Sequence, residues 1–278
     1  MKCPNCNKEV SPEFNVCPWC GYRPKKCSKP EHQDVWLPEE ARFCPRCGEP
    51  LSGDNNEKDS GRNTARKSGN DDSPNGNLEF DVDGIRFTMI YVEGGSFMMG
   101  AQSDDEDDDN YDPDAYDDES PVHEVTLSDY YIGETQVTQE LWETIMDDNP
   151  SDFEGDDRPV ENVSWDDCQA FIRKLNSKLR DQLPRGCRFR LPTEAQWEFA
   201  ARGGNESIGY KYSGSDDIDD VAWYGDNSNG ETHSVMELEP NELEIYDMSG
   251  NVWEWCQDWY GDYKRGSQTN PTGPSSGS

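Results

Sequence analysis

Large apolar side chains fall in short runs between residues 80 and 263, and the spacing within each run predicts an element. Arg86–Val92 and Val122–Leu127 are rich in β-branched and aromatic residues and read as strands. Three helices follow. The first begins after Thr138 and carries Leu141, Trp142, Ile145 and Met146 on one side, the 3–4 spacing of an amphipathic helix. The second is capped by Ser164 with Asp167 three residues on, and its apolar face runs Cys168, Phe171, Ile172, Leu175, Leu179. The third opens on the pair Thr193 and Gln196, turns Trp197 and Ala200 inward and stops at Gly203. Beyond Gly203 no further helix is predicted, only aromatic-rich irregular chain with many Gly, Asn and Pro. Aromatic packing and side-chain hydrogen bonds are expected to hold this domain more than regular ladders do.

Between the two strands lies an insert, 104–119, in which eleven of sixteen residues are acidic. With no glycine to fix tight turns it reads as a solvated, self-repelling loop rather than a dedicated calcium loop. Residues 51–77 contain no aromatic residue and only Leu51 and Ala65 as aliphatic ones, so they bury nothing and read as a disordered linker. The organisation is therefore 1–50, a linker at 51–77, and a large domain at 78–278.

Composition sharpens this picture. The 278 residues carry 25 Lys plus Arg against 59 Asp plus Glu, a formal net charge of -34. Such a chain repels phosphate backbones, so bulk binding to nucleic acid or anionic lipid is not expected. Hydrophobic residues make up only 32%, yet 9 Trp, 12 Tyr and 9 Phe supply surface for a compact aromatic core. There is no run of about 18 apolar residues to span a membrane. Cys3 follows Met1 too closely for a signal peptide, so the expected location is cytoplasmic.

Seven of the ten cysteines fall in the first 47 residues, in the repeat Cys3-Pro-Asn-Cys6, Cys17-Pro-Trp-Cys20 and Cys44-Pro-Arg-Cys47. Two cysteines separated by two residues form a knuckle whose thiolates face one ion. Cys3, Cys6, Cys17 and Cys20 complete a four-sulfur zinc site. Cys27, Cys44 and Cys47 need a fourth ligand, and His32 is the only histidine nearby. Disulfides or a redox dithiol are the competing readings; without a secretory signal, and with four ligands per cluster, two structural zinc ions are expected. About 50 residues cannot fold on an apolar core alone, which gives the metal its role. The segment holds 8 basic and 7 acidic side chains, so nothing favours nucleic acid over a protein partner.

Six stretches identify the large domain by resemblance: Gly94–Gly100, Glu134–Thr138, Pro159–Cys168, Arg190–Glu198, Ala200–Gly204 and Tyr246–Trp255. In this order they resemble the formylglycine-generating enzyme family, or sulfatase-modifying factors, over residues 80 to about 274. The resemblance implies an α+β fold of the C-type-lectin kind with little regular secondary structure, joined here to N-terminal zinc ribbons. The family includes copper-dependent oxidases that convert a sulfatase cysteine to formylglycine and non-haem iron sulfoxide synthases. Its members continue past the segment that is Asn270–Pro274 here, and the copper cysteines lie in that continuation. The domain is therefore expected to be C-terminally incomplete, with Trp165, Trp197, Trp253 and Trp255 partly uncovered and no catalytic residue assigned. His32, His123 and His233 are the only histidines, too few for a three-histidine iron site once one binds zinc.

The resemblance also implies a calcium site: the carboxylates of Asp247 and Glu254 with the carbonyls of Gly250 and Val252. Hard oxygen ligands suit calcium. The alternative is that both carboxylates brace the turn through backbone amides. Cys256, Cys168 and Cys187 read as small buried hydrophobes. Two functions follow from the resemblance. One is a metal-dependent oxidation of a protein or small-molecule thiol. The other is a non-catalytic, lectin-like ligand-binding protein, including the type diversified by retroelements, whose zinc ribbons dock a protein partner.

Overall fold

A computed structural model describes residues 76–108 and 110–277. The zinc-ribbon segment and all but the end of the linker lie outside the described residues.

The domain begins with a hairpin. β1 (Leu78–Val82) pairs antiparallel with β2 (Ile85–Val92) across Asp83-Gly84. Both turn residues have positive φ, 54° and 97°, as a two-residue turn matched to strand twist requires. The Asp81 side chain accepts from Gly84 N at 2.9 Å and closes it. β5 (Tyr130–Gly133) adds to the other edge of β2, giving the order β1-β2-β5. A second sheet joins β3 (Ser96–Met99) antiparallel to β4 (His123–Thr126), and β4 parallel to the two-residue β8 (Gln268–Thr269). Two-residue strands β6 (Ala222–Trp223) and β7 (Ser249–Gly250) form a parallel pair.

The helices are set by their caps. α1 (Gln139–Met146) starts at Thr138, whose side chain accepts from Leu141 N, and ends at Asp147 in the left-handed region. α2 (Trp165–Lys178) and α3 (Glu194–Ala201) open on the reciprocal boxes Ser164/Asp167 and Thr193/Gln196. One helix is additional to the sequence expectation: a single helical turn, α4 (Ile218–Val221), capped by Asp217.

Two clusters form the core. Ile90, Val92, Val125, Phe199, Ala200 and Ile245 centre the first; Phe80, Val82, Trp142, Phe171 and Leu175 centre the second. Trp142 stacks on Phe171, ring centroids 5.0 Å apart and planes 4° from parallel. The four motif tryptophans, expected to be partly uncovered, all keep exposed surface. Trp165 and Trp197 are half-buried, whereas Trp253 and Trp255 are exposed, because their segment runs along the outside of α2 and α3. Cys187, expected in the core, is exposed; Cys168 and Cys256 are half-buried.

Past Gly203 the chain is held mainly by side chains. Buried Asn241 donates to Ala200 O and Ser213 Oγ and accepts from Leu243 N and Ile245 N. All four capacities of that amide are used, which is how irregular backbone is buried without loss. The acidic insert is a loop pinned by Asn110, whose Nδ2 donates to Met98 O and Gly100 O. Asp105, Asp108 and Asp112 each cap an amide two residues on.

Candidate functional site

The loop 247–254 turns sharply because Asp247, Gly250 and Asn251 all have positive φ. At Gly250 a Cβ would meet Trp223 O at 2.3 Å, so no other residue fits without moving β6. The result is a concave set of oxygens. Asp247 O, Gly250 O, Val252 O and Glu254 Oε1 lie 3.1, 3.4, 3.4 and 2.9 Å from one atom, Nε2 of Gln136. Gln136 is buried and arrives from the segment between β5 and α1, 111 residues away in sequence from Asp247.

This geometry corrects one expected ligand. Asp247 faces the common point with its carbonyl; its carboxylate Oδ2 accepts from Met236 N at 3.0 Å instead. Gly250, Val252 and Glu254 converge as the resemblance implied. The second oxygen of Glu254 is held by Trp197 Nε1 at 3.0 Å. Loss of solvation raises the Glu254 carboxyl above its ordinary range, against the pull of bonds from Gln136 and Trp197, although the residue keeps an exposed edge. Burial also raises Asp247, opposed by the Met236 amide.

The hydrogen-bond count around Gln136 does not balance. One NH2 group has two hydrogens for four acceptors, while Gln136 Oε1 is buried and has no partner. Turned over, the amide would face the four oxygens with a fifth, and an all-oxygen set of this kind is what a hard cation such as calcium could take if held between them. Among the described residues, no group of three or more His, Cys, Asp or Glu side chains could hold a metal, so this carbonyl-rich cage depends on backbone oxygens.

Beside the cage the chain displays aromatics outward. Trp253 is 101% exposed, Trp255 50%, Trp259 52% and Tyr260 66%. The backbone beneath them is fixed: Trp255 Nε1 donates to Val163 O, Trp165 Nε1 to Cys256 O, and Gln257 N to Pro192 O. Tyr260 reaches Asp118 of the acidic insert at 2.5 Å. Cys256, within this run, has its thiol pushed up to about 12 by burial and then by Glu194, Asp258 and Glu254. Burial, then Asp167, pushes Cys168 up to about 11. At neutral pH neither is a thiolate, the form a nucleophile or soft-metal ligand needs.

A domain of this architecture, with its loop 247–254 closing on α3, has the formylglycine-generating-enzyme fold. The family model described as sulfatase-modifying factor enzyme 1-like domain matches residues 86–276, and the chain belongs to that family. A double zinc ribbon model matches residues 3–60, where Cys3, Cys6, Cys17, Cys20, Cys27, His32, Cys44 and Cys47 lie, all outside the described residues. The chain is 37% identical over 216 residues to chaperone protein LppX of Paenibacillus barcinonensis, covering 62% of this chain and 71% of that one. It is 24% identical over 262 residues to the formylglycine-generating enzyme of Thermomonospora curvata, covering 68% and 78%. Among solved structures, Treponema denticola variable protein 1 superposes with a TM-score of 0.60 at 34% identity, covering 72% of this chain and 84% of that one. Among the described residues no helix is long and apolar enough to cross a membrane.

Proposed function

We propose that the large domain is a non-catalytic, lectin-like ligand-binding module whose aromatic run Trp253–Tyr260 is the contact surface. The observation that carries this reading is the exposure of four large aromatics on a backbone locked by side-chain hydrogen bonds. Rigid, exposed Trp and Tyr supply contact area at low cost in conformational entropy. The likeness to a variable protein supports binding, and the raised Cys256 and Cys168 thiols argue against either as a nucleophile. The N-terminal segment is a double zinc ribbon that docks a protein partner. Cys3, Cys6, Cys17 and Cys20 hold one ion and Cys27, His32, Cys44 and Cys47 the other. Metal spacing of the cysteines rather than disulfide use fits the cytoplasm.

Within this reading the oxygen cage is a structural calcium site. Gln136→Glu is then expected to increase calcium affinity at least tenfold, since a carboxylate replaces the amide facing Glu254. In chelator the same variant is expected to melt below the wild type, because two carboxylates and three carbonyls would face each other unshielded. Calcium titration followed by thermal unfolding checks both signs; an unchanged affinity contradicts the site.

The oxidase reading is tested directly. Incubated with copper, oxygen and a cysteine-containing sulfatase peptide, the 278-residue chain is expected to give no aldehyde above a protein-free control by mass spectrometry. Conversion above that control overturns the binding reading.

A further inference from the structure

In a chain of net charge -34, residues 173–190 contain seven basic residues and one acidic one. Three of the seven line a single open cleft of about 640 Å³: Arg173, Arg188 and Arg190. Local structure explains why. Gln169, Arg173 and Asn176 are spaced four and three apart, so they share one face of α2. Asn176 then pins the returning strand-like segment, donating from Nδ2 to Phe189 O at 2.9 Å and accepting from Phe189 N at 2.8 Å. That clamp fixes the residues on either side of Phe189, Arg188 and Arg190, beside the helix. The opposite wall is held by Asn270, which bonds to Ser128 through both its amide atoms.

Among the described residues none of the three guanidiniums forms an ion pair, although Asp258 acts on Arg190. Among the described residues the arginine ion pairs are made by Arg86, Arg158 and Arg202. Arg173 and Arg188 make no hydrogen bond or ion pair there. Arg190 donates only to neutral groups, Leu191 O and Gln196 Oε1. The acid on the cleft wall, Asp129, is already engaged on both oxygens by Tyr91 OH and Gly94 N. Burial and then the adjacent Arg188 charge lower the pKa of Arg190, against the opposing pull of Asp258 and of Tyr130 on the cleft wall. The cluster therefore leaves a local positive spot on a chain that is strongly acidic overall.

We infer that this cleft is a binding site for a small molecule bearing several anionic oxygens, as phosphate or carboxylate, which Arg173, Arg188 and Arg190 grip. Arginine's planar fork matches either group, and its charge does not titrate away. Ile172 and Phe189 supply apolar lining for the body of the ligand. Size favours a small ligand over a polymer. A nucleic acid would extend beyond the cleft over a surface of strongly negative charge, whereas a small molecule stays within one Debye length, about 8 Å, of the guanidiniums. Gln257 of the Trp253–Tyr260 run also lines the cleft, so the two surfaces adjoin, but the assignment does not depend on the function proposed for the exposed aromatics.

The test is titration of the full chain, labelled with ¹⁵N-arginine, with inorganic phosphate and in parallel with tricarballylate at matched ionic strength. Nε–Hε signals of Arg173 and Arg188 are assigned through Arg173→Gln and Arg188→Gln. Both residues are exposed and neither makes a hydrogen bond or ion pair among the described residues, so both variants should melt with the wild type. Saturable shifts confined to the cleft arginines, weakened about tenfold by either substitution, are expected. Response to phosphate alone identifies a phosphorylated ligand, to tricarballylate alone a polycarboxylate, and to both a site for either group. No saturable shift, equal shifts at Arg86 and Arg265, or tighter binding of a short DNA duplex to the same residues would overturn the assignment.

Discussion

Trp142→Ala is expected to lower the stability of the large domain by about 3–5 kcal/mol, and Trp253→Ala by no more than about 0.5 kcal/mol. Trp142 is 3% exposed and stacks flat on Phe171, so truncation empties the centre of the second core cluster. Trp253 is fully exposed and has nothing to lose on the folded side. Because Trp142 Nε1 is buried without a partner, Trp142→Phe should cost far less than the alanine change: it removes an unsatisfied donor along with the volume. Urea unfolding of the full chain, followed by near-ultraviolet circular dichroism, ranks the three variants. An equal loss for Trp142→Ala and Trp253→Ala would contradict the placement of both side chains.

Metal removal should have an effect of comparable or larger size at the other end of the chain. Purified protein is expected to carry two zinc ions, and His32→Ala to carry one, since Cys3, Cys6, Cys17 and Cys20 form a complete set without it. Structural zinc contributes on the order of 10–16 kcal/mol of binding free energy in small domains that have no core of their own, so a strong chelator should unfold residues 1–50 while the large domain stays folded. Elemental analysis with and without chelator gives the count. One ion in the wild type, or two in His32→Ala, contradicts the ligand assignment.

What the sequence disclosed and what it hid divide along physical lines. The caps at Thr138, Ser164 and Thr193 are local chemistry within four residues, and all three helices start where those residues stand. β2 and β4 announce themselves by composition. β1 was also legible, through Asp83-Gly84 between apolar runs, the strongest short hairpin signal, but its alternating Glu79 and Asp81 disguise it. The four-residue strands β3 and β5 are too short for periodicity to register, and their pairing is set by partners elsewhere in the chain. For the same reason the loop 247–254 could be named as a site while Gln136, the side chain that reaches its centre, could not. Motif membership says nothing about which face of a segment is covered, so the sequence did not show that Trp253 and Trp255 point outward while the core is built on Phe199, Val92, Val125 and Ile245. Global charge misled in a similar way, since -34 for the whole chain conceals the basic stretch 173–190.

On the binding reading proposed above, the outward aromatics are the contact surface, and substituting them is the most direct test. The fluorescently labelled 278-residue chain, wild type and Trp253→Ala/Trp259→Ala, should be applied side by side to an array of glycans and peptides. Both substituted residues are exposed, so the variant keeps its fold. The account predicts a defined set of features bound by the wild type and weakened at least tenfold in the variant. Identical patterns for the two proteins, or no feature bound by the wild type above background, would contradict it.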